Sequence, residues 1–556
     1  MLVILILAAL LRFVGLNWDQ NFHLNPDERF LTMVGNAMKL PQTIIDYLNP
    51  AVSSFNPSNL GFNFFVYGTL PLIINKLAAV FTGADSYIAF TLQGRLFSGL
   101  ADLLVLIFVY KTAHLLEERF RLSPKVKYLA SFLYAIAVFP IQSAHFFVVD
   151  SFLNLFVFAS FYFALKSYLK KSLADALGSF LFFGLALATK ITALLILPLN
   201  IFIMTLAVSG ATRGKKQDIL RLVKLIFACT IVSYLTIRLA DPYLFQTHNF
   251  FNPTISNLFI KNLVQLKAFD NPNVWYPPGV QWIHKPPILY GLLNLAVFGI
   301  GLPYFVLLVV GIWRSRTVGT SRFVLSIIIL WMFVFFLFQS TQYAKTMRYF
   351  ILLYPYIAIF AGLGLAVILD ALGNIRDKVA RYTLYTLLFI MLMAWPLAFI
   401  SIYLHPHSRV EASEWVYKNV ANKSVILVEH WDDGLPLPLA QANGKSFTLV
   451  ELPVFDPDTN QKWQKMNELL RKADYYILSS NRGWGSITTA PEKYPQMSKF
   501  YIDLLAGKLA YQKIKEFTSY PSLRYLGIPF DFPDQWADES FTVYDHPKVL
   551  IFKKVF

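Results

Sequence analysis

The chain holds one cysteine in 556 residues, so no disulfide can form within it. That residue, Cys229, sits in an apolar run (225–232) and reads as a small core side chain. Acidic residues are also scarce, at 33 against 49 Lys and Arg, which leaves a net charge of +16. A nucleic-acid binder could carry such a surplus. Here, however, the basic residues fall mainly in short loops between apolar runs, the pattern that orients membrane proteins, so nucleic acid is set aside as a partner. Beyond about residue 405 the long apolar runs stop, and that stretch contains no GxGxxG or P-loop and need not bind a nucleotide. An internal repeat is lacking. The first 16 residues have neither a basic leading segment nor a small-residue cleavage site, so they read as a retained span.

What is abundant is apolar surface. Hydrophobic residues make up 56% of the chain and aromatic residues 16%, too much for a soluble globule of this size. Runs approaching the ~20 residues that cross a bilayer fall at about 1–17, 88–110, 127–142, 146–165, 174–188, 190–208, 219–239, 289–312, 323–340, 348–369 and 382–403. The run 62–81 is apolar as well, but it carries Asn63, Tyr67, Gly68, Pro71, Asn75 and Lys76.

Charge decides its placement. If 62–81 does not cross, loops 111–127, 166–175, 209–224, 313–322 and 370–381 share one side, with 5, 3, 5, 3 and 3 Lys or Arg residues. Loop 141–151 on the other side then has none, and the long loops 18–87 and 241–287 have three each. A crossing at 62–81 would invert every later loop against the positive-inside rule. The expectation is eleven spans, an interfacial helix over 62–81, a cytoplasmic N-terminus and an outer C-terminus in the cell membrane. Residues 405–556 alternate β-like stretches (425–428, 475–478, 549–552) with amphipathic helix such as 461–472, which predicts a soluble α/β domain.

This topology gathers ionisable groups on one membrane face, where they are costly and usually functional. Asp27 and Glu28 follow the first span in Asn25-Pro26-Asp27-Glu28-Arg29, and Asp150 opens the fourth. Lys190 lies in the turn Ala188-Thr189-Lys190, Arg348 opens the tenth span, and Lys285 closes loop 241–287 beside Trp282 and His284. Simpler roles exist for each. Arg348 and Lys345 could snorkel to headgroups, and Asp150 could serve the start of its helix. His23, His145 and His284 fit ordinary polar positions better than metal ligands. Lys190, between two apolar runs, calls for a cavity or an anion. Together, carboxylates able to act as a base and cations able to take a departing phosphate match group transfer from a lipid phosphate to a hydroxyl.

The same residues resemble a superfamily, the phospholipid-carrier-dependent glycosyltransferases, which includes protein O-mannosyltransferases and lipid A aminoarabinose transferases of the GT-C fold. The resemblance runs over roughly residues 1–400. It rests on Leu11-Arg12-Phe13, Asn25-Pro26-Asp27-Glu28, Gly94-Arg95-Leu96, the stretch from Pro140 through His145 to Asp150, Gly184 through Thr189-Lys190, and Arg348 through Pro355. The closing stretch from Glu539 to Phe552 is similar to the ending of a prokaryotic subgroup.

The resemblance implies Asp27 as the catalytic, acceptor-activating residue with Glu28 in support. Relatives hold the carrier phosphate with basic residues on the outer face; by position the candidates here are Lys190, Lys285 and Arg348, of which the first and last lie in matching motifs, and Asp150, His145 and Trp282 are further substrate-binding candidates. The implied donor is a polyprenyl-phosphate sugar and the acceptor a protein, lipid or glycan. Many relatives read His-Pro where this chain has Asn25-Pro26, so a His ligand is absent at that position and His23 lies two residues earlier; no cofactor is assigned, and a divalent metal stays possible. Loop 241–287, with Trp275, Tyr276 and Trp282, is the expected roof. Two other readings compete: a transporter or flippase for an anionic lipid or solute, whose site belongs at mid-depth, and a membrane scaffold presenting the C-terminal domain.

Overall fold

The computed structural model describes residues 1–208, 215–316, 322–440, 442 and 444–555. Its first part is helical, because apolar runs in lipid must satisfy their backbone groups internally. Among the described residues seven helices are long and apolar enough to cross a membrane, and nine are if each of two bent pairs counts as one span. The other two of the eleven expected runs form shorter apolar helices. Run 1–17 forms only α1 (Leu2–Phe13), and run 174–188 forms the 15-residue helix Leu173–Leu187. At 1.5 Å per residue, α1 is about 18 Å long, short of the ~30 Å hydrocarbon layer.

Other boundaries shift for local reasons. Run 127–142 is broken at Ala137 into Val126–Ile136 and Val138–Ala144, bent by 58°. Run 289–312 bends by 113° between Leu289–Gly299 and Leu302–Ser315, where Gly301 takes a φ of +85° and Pro303 opens the next helix. The run 62–81 is helical only over Leu70–Thr82. Those 13 residues are too few to cross; they bury Leu72, Ile73, Asn75 and Lys76 and leave Phe81 exposed. Before them, the stretch through Gly68 is extended and pinned to another turn: the amides of Gly68 and Leu70 donate to the carbonyls of Thr189 and Ala188 at 2.9 and 3.2 Å. A Cβ on Gly68 would sit 1.9 Å from the Ala188 oxygen, so only glycine fits.

Two kinds of contact hold the helices together. Helices Leu302–Ser315 and Tyr354–Gly373 touch backbone to backbone through Gly311 and Gly364, the small-residue packing that suits helices in lipid. Buried charge supplies the second. Arg12 of α1 meets Asp102 of helix Tyr87–Phe120 at 2.5 Å and donates to the Ala135 carbonyl at 2.9 Å, while Tyr134 donates to the other Asp102 oxygen. A pair so fully satisfied survives burial.

The strands all lie in the C-terminal part: β1 (Val425–Glu429), β2 (Thr448–Leu452), β3 (Tyr475–Leu478), β4 (Tyr511–Phe517) and β5 (Val549–Lys554). They form one sheet in the order β2-β1-β3-β5-β4, with β1 parallel to β2 and β3, and β5 antiparallel to β3 and β4. The central β3 is wholly buried, whereas edge strand β4 exposes Lys513 and Lys515, which discourages further pairing. This domain is latched to the helices by polar contacts. Asp545 accepts from Gln142 at 2.9 Å and from Tyr403 at 2.8 Å, and Asp538 accepts from Tyr290 at 2.9 Å and Trp282 at 3.3 Å. His546, buried beside them, bridges Asp534 and Asp545 at 2.8 and 2.6 Å. The architecture is a polytopic helical membrane protein with a small C-terminal sheet domain.

Candidate active site

The site begins at a helix N-terminus. Helix α2 (Pro26–Ala37) has proline at its first position, and the Asn25 side chain accepts from the amides of Asp27 (3.0 Å) and Glu28 (3.2 Å). Both acids fall in the first turn, where the helix dipole favours negative charge. Successive residues point about 100° apart around a helix, so the two carboxylates face different surroundings.

Glu28 turns inward. It is fully buried, accepts from Arg95 Nε at 2.9 Å and from the Phe147 amide at 2.8 Å, and shares Arg95 with Asp19, 2.7 Å away. With both oxygens engaged it cannot touch a substrate. Expected beside Asp27 as catalytic but in a supporting role, Glu28 is placed as an internal brace, and Arg95 is the counter-ion that makes its burial tolerable.

Asp27 turns outward, with its side chain one-third exposed, and pairs with Arg348 Nη1. Arg348 belongs to the tight turn Met347–Leu353, and its Nη2 also donates to the Tyr67 hydroxyl at 3.2 Å. On its other side Nε lies 3.8 Å from Asp150, too far for a hydrogen bond, and is left without a partner. Asp150 sits in the first turn of helix Val149–Lys170 and accepts from Lys190 Nζ at 2.8 Å. Lys190, which precedes the turn Ile191–Ile196, lies over the rings of Tyr67 (5.8 Å) and Tyr349 (5.4 Å). Four residues expected from sequence to share one membrane face thus form one chain of contacts: Asp27, Arg348, Asp150 and Lys190.

Two carboxylates and two cations make this group formally neutral, with positive ends that are not saturated. A void of about 10 Å³, room for about one water, is lined by Asp150, Lys190, Arg348 and Tyr349. An anionic oxygen entering there would meet Lys190 and the free Arg348 N–H, in partly buried surroundings where charge-assisted hydrogen bonds are strong. A divalent metal fits poorly. Each carboxylate already has a cation, and among the described residues no group of three His, Cys, Asp or Glu side chains is placed to hold one.

The other expected residues lie elsewhere. His145 is fully buried, its ring nitrogens 2.8 and 3.0 Å from the carbonyls of Ile141 and Val14 and its ring stacked on Tyr403. That placement corrects its assignment to substrate. Trp282 donates to Asp538 and so ties loop 241–287 to the C-terminal domain. Lys285 lies over the Tyr290 ring at 5.7 Å, apart from the four-residue group. Lys345 donates to the Tyr343 carbonyl at 3.1 Å. His23 is buried beside Thr91, and His284 pairs with Glu492 at 2.7 Å.

Sequence reasoning gave no role to Tyr67, Tyr349 or Arg95. Arg95 carried a readable signal, an arginine inside an apolar run. The two tyrosines are brought in by tertiary packing and carried none.

No family model matches the sequence, and no curated protein matches it either. Solved structures do. The oligosaccharyltransferase of Archaeoglobus fulgidus in its apo form aligns with a TM-score of 0.54 at 13% identity, over 100% of this chain and 88% of that one. The same archaeal enzyme, AglB, in complex with an inhibitory peptide and a dolichol-phosphate aligns with a TM-score of 0.53 over the same shares, again at 13% identity. ArnT from Cupriavidus metallidurans in the apo state covers 100% of this chain and 97% of its own at 13% identity, with a TM-score of 0.46. The chain has the GT-C membrane fold of the archaeal oligosaccharyltransferase.

Proposed function

We propose that this protein is an integral-membrane glycosyltransferase that moves a sugar from a polyprenyl-phosphate donor to an acceptor hydroxyl, with inversion at the anomeric carbon. The observation that carries the reading is the four-residue group itself: a one-third-exposed carboxylate, Asp27, held by the same arginine whose unused N–H borders a void also lined by Lys190. A likeness in fold to an oligosaccharyltransferase captured with dolichol-phosphate supports it.

The residues then act in sequence. The donor phosphate enters between Lys190 and Arg348 and competes with Asp27 for the guanidinium. As Arg348 turns to phosphate, Asp27 is released from its ion pair and can meet the acceptor hydroxyl. Asp27 takes the acceptor proton while that oxygen attacks the anomeric carbon from the face opposite the phosphate. The anomeric C–O bond breaks, and its electron pair passes to the phosphate, whose added charge is met by Lys190 and Arg348. Asp150 keeps the Lys190 ammonium in place. Glu28, through Arg95 and the Phe147 amide, fixes the first turn of α2 and with it the direction of Asp27.

The reaction needs no nucleotide and so suits the outer face of the cell membrane, and the low basic content of loops 18–87 and 241–287 supports putting them on that face together with the C-terminal domain. The test is transfer in liposomes from a panel of radiolabelled polyprenyl-phosphate sugars. Release of free polyprenyl phosphate that stops in Asp27→Asn supports the assignment. Labelled lipids that are bound or flipped without turnover overturn it in favour of transport.

A further inference from the structure

Behind Tyr67 lies a second space that the mechanism above does not use. A cavity of about 460 Å³ opens between residues 50–69 and residues 241–262, within the ~300–1,000 Å³ typical of ligand pockets. Its floor is shared with the catalytic group. Tyr67 lines the cavity and also accepts from Arg348, so its two sides face different spaces. The extended stretch through Gly68 explains how. Gly68 is pinned against Ala188 and Thr189, next to Lys190, and Thr69 beyond it turns to the cavity wall.

The wall there holds an unusual acid. Asp241 is buried and accepts from the Thr69 hydroxyl at 2.7 Å, and among the described residues no Lys or Arg pairs with it. A buried carboxyl without a counter-ion is costly unless hydroxyl or amide donors reach it. The rest of the lining is mixed. Aromatic rings of Tyr243 and Phe259 stand beside the amide of Asn257, and Asn262 braces the opposite wall through the carbonyls of Asn63 and Phe65. Rings pack against the C–H faces of a pyranose, while amides and carboxylates take its hydroxyls. A lipid tail would want neither amide nor acid, and among the residues lining the cavity there is no Lys or Arg to hold a phosphate.

We propose that this cavity is a saccharide subsite of the same enzyme, with Asp241 accepting sugar hydroxyls and Tyr67 forming the partition between sugar and phosphate. The inference rests on the glycosyltransferase reading. The saccharide is either the donor's own sugar, still joined to a phosphate at Lys190 and Arg348, or a glycan acceptor.

Equilibrium binding to the purified full-length protein in detergent separates these. The probes are bare polyprenyl phosphate, a panel of polyprenyl-phosphate hexoses and pentoses, and free oligosaccharides. The variants are Asp241→Asn, isosteric and able to keep the Thr69 bond, and Asn257→Trp, which fills the mouth from an exposed position. Each variant is expected to cut the preference for glycosylated over bare carrier by about tenfold while leaving bare-carrier affinity unchanged. Loss of free-oligosaccharide binding with an unchanged carrier preference keeps the subsite and assigns it to the acceptor. No change with any sugar, or an equal loss with bare carrier, overturns the proposal. Failure of the wild-type protein to bind bare carrier is a different result: it removes the glycosyltransferase reading, and the subsite with it.

Discussion

Asp27 and Glu28 are adjacent in sequence yet face separate spaces: Asp27, one-third exposed, meets Arg348, while Glu28, fully buried, meets Arg95. The rotation between successive positions of a helix is enough to produce the split. One acid is thereby left able to exchange its partner, and the other is locked. Their variants should fail in different ways.

Asp27→Asn keeps the shape of the side chain and removes the proposed base. Transfer should fall by about 10²–10⁴-fold, with thermal stability and bare-carrier binding close to wild type. Release of polyprenyl phosphate measures the first and equilibrium binding the second. Retained turnover would take Asp27 out of the base role.

Glu28→Gln should fail through the fold. Breaking a buried pair from one side costs about 3–5 kcal/mol, although Asp19 continues to hold Arg95. The thermal midpoint should drop well below that of Asp27→Asn. A variant as stable as wild type but inactive would return Glu28 to the chemistry.

Lys190→Ala removes the proposed phosphate ligand and strands Asp150 in a buried position. Donor KM should rise far more than acceptor KM, and stability should fall. Adding Asp150→Asn restores the charge balance, so the double variant should regain stability without regaining donor affinity. If donor use returns with stability, the lysine is structural.

Much of this site was legible because charge next to an apolar run is expensive. Asp27, Asp150, Lys190 and Arg348 each stood out on that ground, and each belongs to the contact chain. His145 misled because it lies five residues from Asp150, while the tight turn between them points its ring into the core. Tyr67 was hidden in a run whose apolarity suggested helix; the pinning of Gly68 to Thr189 keeps that stretch extended. The bend at Gly301 had its signal in Gly299, Gly301 and Pro303, outweighed in the reading by continuous hydrophobicity. Runs 1–17 and 174–188 had the apolarity of spans but not the helical length.

His546 makes stability depend on pH. Burial alone would discharge its ring, but the carboxylates of Asp534 and Asp545 outweigh burial and push it up to about 10 from an ordinary 6.5. The folded protein therefore keeps a proton that the unfolded chain releases above 6.5. Stability present below that pH should decline through about 10, with a slope approaching 1.4 kcal/mol per unit. Denaturation series from pH 6 to 10 on wild type and His546→Gln should show this slope in the first and its loss in the second.

Topology can be read with single cysteines. Cys229 is buried, which keeps background labelling low. Cysteines placed at Phe64 and Phe81, both exposed, should react with an impermeant maleimide only from outside the cell. Labelling from the cytoplasmic side would invert the proposed orientation.

The first turn of α2 carries three consecutive charged residues, and each is tied to a different part of the protein. Asp27 reaches the reactive group, Glu28 the helical core, and Arg29 the C-terminal domain, through Asp433 at 2.7 Å. One rigid turn is thus a mechanical junction with three arms. A change at the Asp433 contact therefore bears on the same helical turn that carries Asp27, two residues from Arg29.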